Sequence, residues 1–211
     1  MAIQLQGNGG TVAEVDATFR TQRVSLRAAE LIGYYSVAGT SGALTGVAAA
    51  GPVFSFRNTG ANLICIRNVR IGFITTTAFT AAQGLSYSLL RANSFTASDS
   101  GGTALYVAGA NKHRNSFTNI TSAPDIRISS TAALTAGTRT LETVSMAIAG
   151  GSSTGVGTSM PITDLLENDA GDYPLVLAQN EGFVITNLIA MGAAGVIQLH
   201  VGCEYFETSA Y

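Results

Sequence analysis

The clearest alternation of hydrophobic and polar residues lies near the C-terminal end of the chain. Every second side chain from Ile197 to Tyr205 is apolar, while His200 and Glu204 are among the residues between them. This two-residue period predicts a strand with one buried face. A second apolar run, 183–191, precedes it across a short Gly/Ala segment, so the pattern predicts a terminal β-hairpin. Because an isolated hairpin is only marginally stable in water, earlier segments must supply further strands.

Apolar runs bounded by turn residues predict strands along most of the chain. They cover residues 31–37, 53–57, 63–75, 85–90, 105–107, 126–128, 143–148 and 162–166. Inside the run 63–75, the apolar positions change parity between Ile66 and Val69, which predicts a β-bulge near Arg67 and Asn68. Strands that recur about every ten to twenty residues, with turns between them, are typical of sandwiches and jelly rolls rather than of βαβ folds.

The first 30 residues have a different character. Val15, Phe19 and Leu26 fall near helical spacing, with acidic residues early and arginines late, as a helix dipole favours. The alternation within 21–27 fits an extended arm equally well. In either form the segment is a candidate contact with a neighbouring subunit or a larger assembly; the alternative is an element that covers its own sandwich. The residues assigned to this contact are Phe19, Arg20, Arg23, Leu26 and Arg27.

These patterns together predict the fold class and the domain organisation. A chain of 211 residues is long enough to bury a sizeable core as one domain. We predict an all-β fold, an antiparallel, jelly-roll-like β-sandwich over residues 31–211. An N-terminal arm or short helix over residues 1–30 precedes it.

The composition points to association rather than to a free monomer. Charged residues make up 11% of the chain, against about 25% in ordinary soluble domains. Ser, Thr, Asn and Gln carry the polarity instead. Because so few charges protect poorly against association, we expect copies of the chain or a larger assembly to cover much of the surface. The alternative is a neutral, soluble domain.

The charges are also unevenly distributed. All 11 basic residues lie at or before Arg139 with only five acidic ones, a net charge of +6, whereas eight acidic residues and no basic one follow from Leu141 onward, a net charge of −8. The two parts can pair within one fold or between subunits. Nucleic-acid binding is not predicted, because the chain has no Lys/Arg-rich tail and a net charge of −2.

No segment predicts catalysis or a cofactor. Residues 151–155 match the G-x-S-x-G pattern of a nucleophile elbow. That pattern requires a following helix and a histidine base, but VGTSMP follows, and His113 and His200 are the only histidines. The interpretation we favour is a mobile Gly/Ser loop, and we predict that the chain is not an enzyme.

Metal binding has equally weak support. Glu167, Asp169 and Asp172 offer oxygen ligands, but their spacing does not match a calcium-binding hand, so an ordinary acidic turn is favoured and no metal is predicted. His200 lies on the polar side of the last strand, where we expect a surface or interface residue bonded to a cross-strand carboxylate. Residues 112–114, KHR, are interpreted as a solvated turn, with contact to an acidic surface as the alternative.

Cys65 and Cys203 lie in apolar runs and are expected to be buried thiols rather than a disulfide framework. Two uncharged spans, 31–56 and 183–203, are long enough to raise the question of a membrane helix. Glycines and Pro52 interrupt the first, and the second follows a two-residue period, so no membrane partner is predicted.

Several phrases of the sequence resemble those of a known family. They are FRTQRVSLRAAE, YYSVAGTSGALTGVAAAGPVFSFRN, NVRIGFITTTAFTAAQG, DSGGTAL, DIRISSTAALTAGTRTL and PLVLAQNEGFVITN. From about Phe19 onward, the chain resembles tailed-phage and prophage proteins of this length, which are described only as virion-associated. The resemblance implies a structural component of a phage particle, made in the bacterial cytoplasm, with a jelly-roll-like sandwich as the commonest fold of small capsid-decorating proteins.

Two hypotheses follow from this resemblance. The first is a capsid decoration or cement protein that binds the assembled shell of the major capsid protein, as a homotrimer, with the N-terminal arm as a clamp. The second is a host-recognition module on a head or tail fibre that binds a surface glycan through exposed loops. The chain lacks Trp, and Tyr34, Tyr35 and Tyr106 are dispersed in sequence, which counts against the second hypothesis.

Overall fold

The computed structural model describes residues 31–107, 109–114, 117, 119–120, 123–168 and 174–209. The predicted arm over residues 1–30 lies outside this part of the chain, as do its assigned contact residues. The described residues form strands and no helix. The strands are β1 (Leu31–Thr40), β2 (Pro52–Arg57), β3 (Leu63–Thr77), β4 (Gln83–Phe95), β5 (Thr103–Ala104), β6 (Asp125–Ile128), β7 (Arg139–Leu141), β8 (Ala147–Ser153), β9 (Ser159–Glu167), β10 (Leu175–Leu177), β11 (Gly182–Asn187) and β12 (Val196–Thr208).

Two antiparallel sheets pack face to face, which confirms the predicted all-β sandwich. The first sheet runs in the order β1, β12, β3, β10, and β9 pairs with another part of β3. The second runs β5, β6, β2, β11, β4, β7, and β8 pairs with another part of β4. The finer expectation of a jelly roll stays a prediction.

The prediction of a terminal hairpin was wrong. β12 alternates between buried and half-exposed residues as predicted, but it pairs with β1 and β3, whereas β11 lies in the second sheet between β2 and β4. Every residue of β11 is buried, so this strand needs cover on both faces and takes a central position. The connection between them passes over the end of the sandwich, where the Asn187 side chain bonds the carbonyl oxygens of Val47 (3.0 Å) and Ile189 (2.6 Å).

The predicted bulge in β3 is confirmed. Glu204 of β12 pairs with Asn68 and Tyr205 with Ile66, which leaves Arg67 as the extra residue. Without it, the apolar residues before and after would point to opposite faces, because side chains alternate along a strand. With it, all of them are fully buried or nearly so in one core; they are Ile64, Ile66, Val69, Ile71 and Phe73.

Aromatic rings connect the two sheets in this core. The ring centroids of Tyr35 and Tyr205, both in the first sheet, lie 5.6 Å apart, and Tyr205 meets Phe56 of the second sheet edge-on at 5.2 Å. Phe183 stacks on Phe56 at 5.4 Å and on Phe54 at 5.8 Å. Such pairs contribute about 0.5–1.5 kcal/mol beyond the burial of their area, so this row of rings fixes how the sheets face each other.

The remaining predicted strands vary in accuracy. Those at 31–37, 53–57, 63–75, 85–90, 126–128 and 162–166 all lie within or largely within observed strands. Residues 105–107 are not a strand, since β5 ends at Ala104, and within 143–148 only the last two residues belong to β8. These errors fall on the outer edges of the second sheet, where short strands carry little hydrophobic pattern.

Candidate functional site

The outer face of the first sheet carries a polar cleft of about 380 Å³. It lies where β1, β12, β3 and β9 run side by side. Two pairing irregularities flank it: the extra residue Arg67 on β3, and the extra residue Leu165 on β9 between the pairs Leu166–Val69 and Asp164–Arg70. Bulges bend a strand and redirect its side chains. The cleft is lined by Tyr34, Arg67, Asn68, Arg70, His113, Glu167, Asn168 and Glu204.

One wall of the polar cleft is formed by Tyr34 and its neighbours. The Tyr34 hydroxyl donates to Oε2 of Glu204, on the neighbouring strand β12, at 2.9 Å. The centroids of the His113 and Tyr34 rings lie 4.4 Å apart with an interplanar angle of 89°, and the backbone N–H of His113 donates to the backbone carbonyl oxygen of Tyr34 at 3.0 Å. Burial, followed by the hydrogen bond to Glu204, raises the pKa of Tyr34 to about 12. The phenol therefore stays a neutral donor at physiological pH.

The floor is held by a carboxylate that accepts two hydrogen bonds. Oδ1 of Asp164 accepts from Nδ2 of Asn68 and from Nε of Arg70, both at 2.9 Å. The Asn68 bond first, and then Arg70, hold the pKa of Asp164 below its ordinary value. The same contact with Asp164 raises the pKa of Arg70, whose Nη1 also lies 3.8 Å from Oε1 of Glu204.

Asn68 is the most constrained residue of the polar cleft. It is only 4% exposed, and its Oδ1 is buried without a hydrogen-bond partner in the part of the chain that the structure describes. The neighbouring Asn168 is anchored to the bulge, because its N–H donates to the Arg67 carbonyl oxygen (3.0 Å) and its Nδ2 to that of Ile66 (3.3 Å). The bulge therefore positions two amide side chains at the base of the polar cleft.

A second feature is the end of the sandwich that carries loops 41–51, 78–82, 154–158 and 188–195. We call it the charge-free end, because these four loops contain no charged residue. Strand pairing and one side-chain hydrogen bond place the four loops together. Val196 pairs with Thr77 and Gln83 with Ser153, and the Asn187 side chain donates to the Val47 carbonyl oxygen. The loops expose apolar side chains, among them Ala48, Ala49, Ala50, Val156, Leu188 and Ile189.

The G-x-S-x-G match does not form a nucleophile elbow. Its first residues belong to β8, and a turn leads from them directly into β9. Ser153 is buried, and its hydroxyl bonds those of Thr75 (2.8 Å) and Thr158 (3.5 Å). This serine therefore links the two sheets at the charge-free end rather than facing a cavity.

The other candidate residues have structural contacts. Nδ1 of His200 lies 3.0 Å from the Thr40 hydroxyl, so the expected carboxylate partner was wrong. Lys112 donates to the Phe117 carbonyl oxygen (3.1 Å) and to Oδ1 of Asn119 (2.8 Å), and the segment around it pairs with the outer edge of β1. Of the acidic turn, Glu167 lines the polar cleft, whereas Asp169 and Asp172 lie outside the described residues.

Both cysteines are buried free thiols, as predicted. Burial raises the pKa of Cys65 to about 12, and burial, then the charge of Glu204, also raises the pKa of Cys203. Neither thiol is therefore activated as a nucleophile. Among the described residues, His, Cys, Asp and Glu form no group of three that could hold a metal ion.

Several ion pairs join the basic and acidic parts of the sequence within one subunit. Arg70 pairs with Asp164 and Glu204, and Arg91 lies 3.3 Å from Glu181. Two further pairs, Arg127–Asp125 and the buried Arg139–Asp99, lie within the basic part. Of the two arrangements left open by the sequence, pairing within the fold thus occurs in the described part of the chain.

No protein-family model matches the chain, and no curated protein is significantly similar to it. The described residues include no helix that is long and apolar enough to cross a membrane.

The sequence predicts only part of the polar cleft. The alternation of apolar and polar residues along the strands predicts the bulge at Arg67 and Asn68 and the outward position of Glu204 on β12. No sequence pattern indicates that Tyr34 and His113 would meet there, because they come from segments about 80 positions apart in the printed sequence. The charge-free end corresponds to four uncharged stretches of the sequence, 36–56, 71–90, 143–163 and 182–199. The sequence shows these stretches but not that their loops lie at one end of the fold.

Proposed function

We propose that this chain is a non-enzymatic structural protein of a bacteriophage particle, a decoration or cement protein that binds the assembled head shell. The phage context comes from the resemblance of its sequence phrases. The charge-free end is the observation that carries the structural role, because exposed uncharged loops suit permanent contacts and not a free surface.

The connectivity of the sandwich also supports a virion role. Strands alternate between the sheets at both ends of the chain: β1 and β3 lie in the first sheet with β2 and β4 in the second, and β10 and β12 lie in the first with β11 in the second. Between these ends, β5 to β8 all lie in the second sheet and β9 lies in the first. We infer from this order that the sandwich is a jelly roll, an eight-stranded architecture found in viral capsid and lectin domains. The fold alone does not define a function, so the surface features carry the argument.

The charge-free end is the proposed contact between copies in a homotrimer. Around a three-fold axis, a residue close to the axis lies near its own copies in the other two subunits, so a charge there is repelled. Uncharged loops avoid this repulsion, and their Ala, Leu, Ile and Val side chains bury apolar area. The arm, with Arg20, Arg23 and Arg27, then remains for the shell of the major capsid protein.

Sedimentation with undecorated shells tests the proposal. We expect light scattering to give a trimer mass and the trimer to co-sediment with shells at a saturating, symmetry-related copy number. Joint substitution Arg20→Ala, Arg23→Ala and Arg27→Ala should abolish co-sedimentation without changing the trimer mass. Arg114→Ala, an exposed arginine on a loop of the sandwich, is the matched control and should bind like the unaltered chain.

Failure of the unaltered trimer to bind shells would refute the decoration role. Retention of binding by the triple arm variant would refute the clamp but leave shell binding intact. A host-recognition module is the second candidate function, and the polar cleft is the observation that favours it. Binding to host cells instead of shells would support that candidate.

A further inference from the structure

The polar cleft is lined only by polar side chains, and shell binding through the arm does not use it. The lining consists of two guanidinium groups, two carboxylates, two amides, one phenol and one imidazole. Its volume of about 380 Å³ falls in the range of about 300–1,000 Å³ typical of small-ligand sites, most of which are largely apolar. A site this polar selects a polar ligand, since an apolar one would leave these groups without partners.

The lining carries two positive and two negative side chains, and this balance favours a ligand without net charge. Arg67 and Arg70 share the polar cleft with Glu167 and Glu204. An anion would be repelled by the two carboxylates and a cation by the two guanidinium groups. A neutral ligand avoids both penalties, but its groups must accept hydrogen bonds from arginine and donate them to glutamate.

Hydroxyl groups meet this requirement best. Each hydroxyl has one donor and two acceptor lone pairs, so the same group can pair with a guanidinium or with a carboxylate. Both of those side chains are two-pronged and match two adjacent hydroxyls. The Oδ1 of Asn68 has no hydrogen-bond partner among the described residues, but it is buried, so the contacts to a ligand come from the exposed side chains of the lining.

From this chemistry we propose that the polar cleft binds a neutral saccharide. The lining is held in place before binding, because Tyr34 is bonded to Glu204, Asn68 and Arg70 to Asp164, and Asn168 to the bulge. Preorganised side chains lose little conformational entropy when a ligand arrives. Arg67 and Glu167 are exposed at the rim and make the contacts that a sugar can reach first.

Saturation-transfer NMR on the full-length protein tests this site. The probes are glucose, galactose, mannose and N-acetylglucosamine, with galacturonate and inorganic phosphate as anions and glucosamine as a cation. We expect at least one neutral sugar to bind and the charged probes not to bind. Arg67→Ala and Glu167→Gln should each weaken that binding about tenfold, the loss of one charge-assisted pair.

The control is Arg127→Ala, which removes a half-exposed arginine from the second sheet and should bind sugar like the unaltered chain. Thermal unfolding establishes that all variants keep the fold. Absence of signal from every neutral sugar overturns the proposal, as does binding by both cleft variants that is as strong as that of the unaltered chain. Binding of phosphate or galacturonate alone makes the polar cleft an anion site and also overturns it. None of these outcomes depends on shells, so this proposal and the decoration role fail separately.

Discussion

Two strand glycines show how much the surroundings of a single residue matter. A Cβ on Gly182 in β11 would collide with the Phe56 carbonyl oxygen and approach the Phe95 ring to 2.8 Å. A Cβ on Gly202 in β12 would find the Val37 carbonyl oxygen at 3.9 Å, an ordinary contact distance. Both glycines look alike in the sequence, yet only Gly182 is required for the close approach of neighbouring strands.

We predict that Gly182→Ala lowers the free energy of unfolding by about 1–3 kcal/mol, because backbone must shift to admit the methyl group. Gly202→Ala is the matched control and should change it by less than about 1 kcal/mol, since alanine only reduces the freedom of the unfolded chain. Urea unfolding followed by circular dichroism measures both values. Equal midpoints for the two variants would contradict the predicted contrast.

At the scale of the element, the bulge in β3 serves both faces of its sheet. On the inner face it keeps the apolar residues on either side of Arg67 in the same core. On the outer face it positions Asn68 and anchors Asn168, both of which line the polar cleft. One extra residue therefore couples the integrity of the core to the shape of the polar cleft.

Deletion of Arg67 should prevent native folding. Without it, the residues on one side of the bulge must turn outward, and exposing three side chains such as Val69, Ile71 and Phe73 costs about 1.5–3 kcal/mol each. That sum is comparable with the total stability of a domain, about 5–15 kcal/mol. Arg67→Ala keeps the residue count and should fold. Far-UV circular dichroism and the soluble fraction distinguish the two, and a cooperatively folding deletion variant would show that the bulge is dispensable.

On the scale of the whole molecule, charge is segregated. The four loops of the charge-free end carry none, whereas the described ion pairs lie on the strands and at other loops and close within one subunit. Because these charges are already paired within one subunit, they offer little to a neighbouring copy. Association through the charge-free end should instead depend on apolar contact.

We predict that Ile189→Asp, which puts a charge on this end, converts the trimer to monomers. Val144→Asp is the matched control: Val144 is exposed on a loop outside the four, and the variant should stay trimeric. Light scattering gives both masses. The unaltered trimer should also persist in about 1 M NaCl, where charges are screened over about 3 Å. Dissociation by salt would assign the contact to ion pairs between subunits instead.

The sequence by itself determined the all-β class, most of the long strands, the bulge at Arg67 and the burial of both cysteines. These follow from local alternation, which the pleat of a strand imposes on its own residues. Sequence also indicated that the chain has few charges and that they divide into a basic and an acidic part.

Only the tertiary structure decided which strands are neighbours. Local alternation shows that a strand is half-buried but not what pairs with it, so β11 and β12 resembled a hairpin although they belong to different sheets. For the same reason, sequence could not bring Tyr34 to His113, nor place four separate uncharged loops at one end. Both surfaces arise from contacts between residues distant along the chain, which depend on how the sheets assemble.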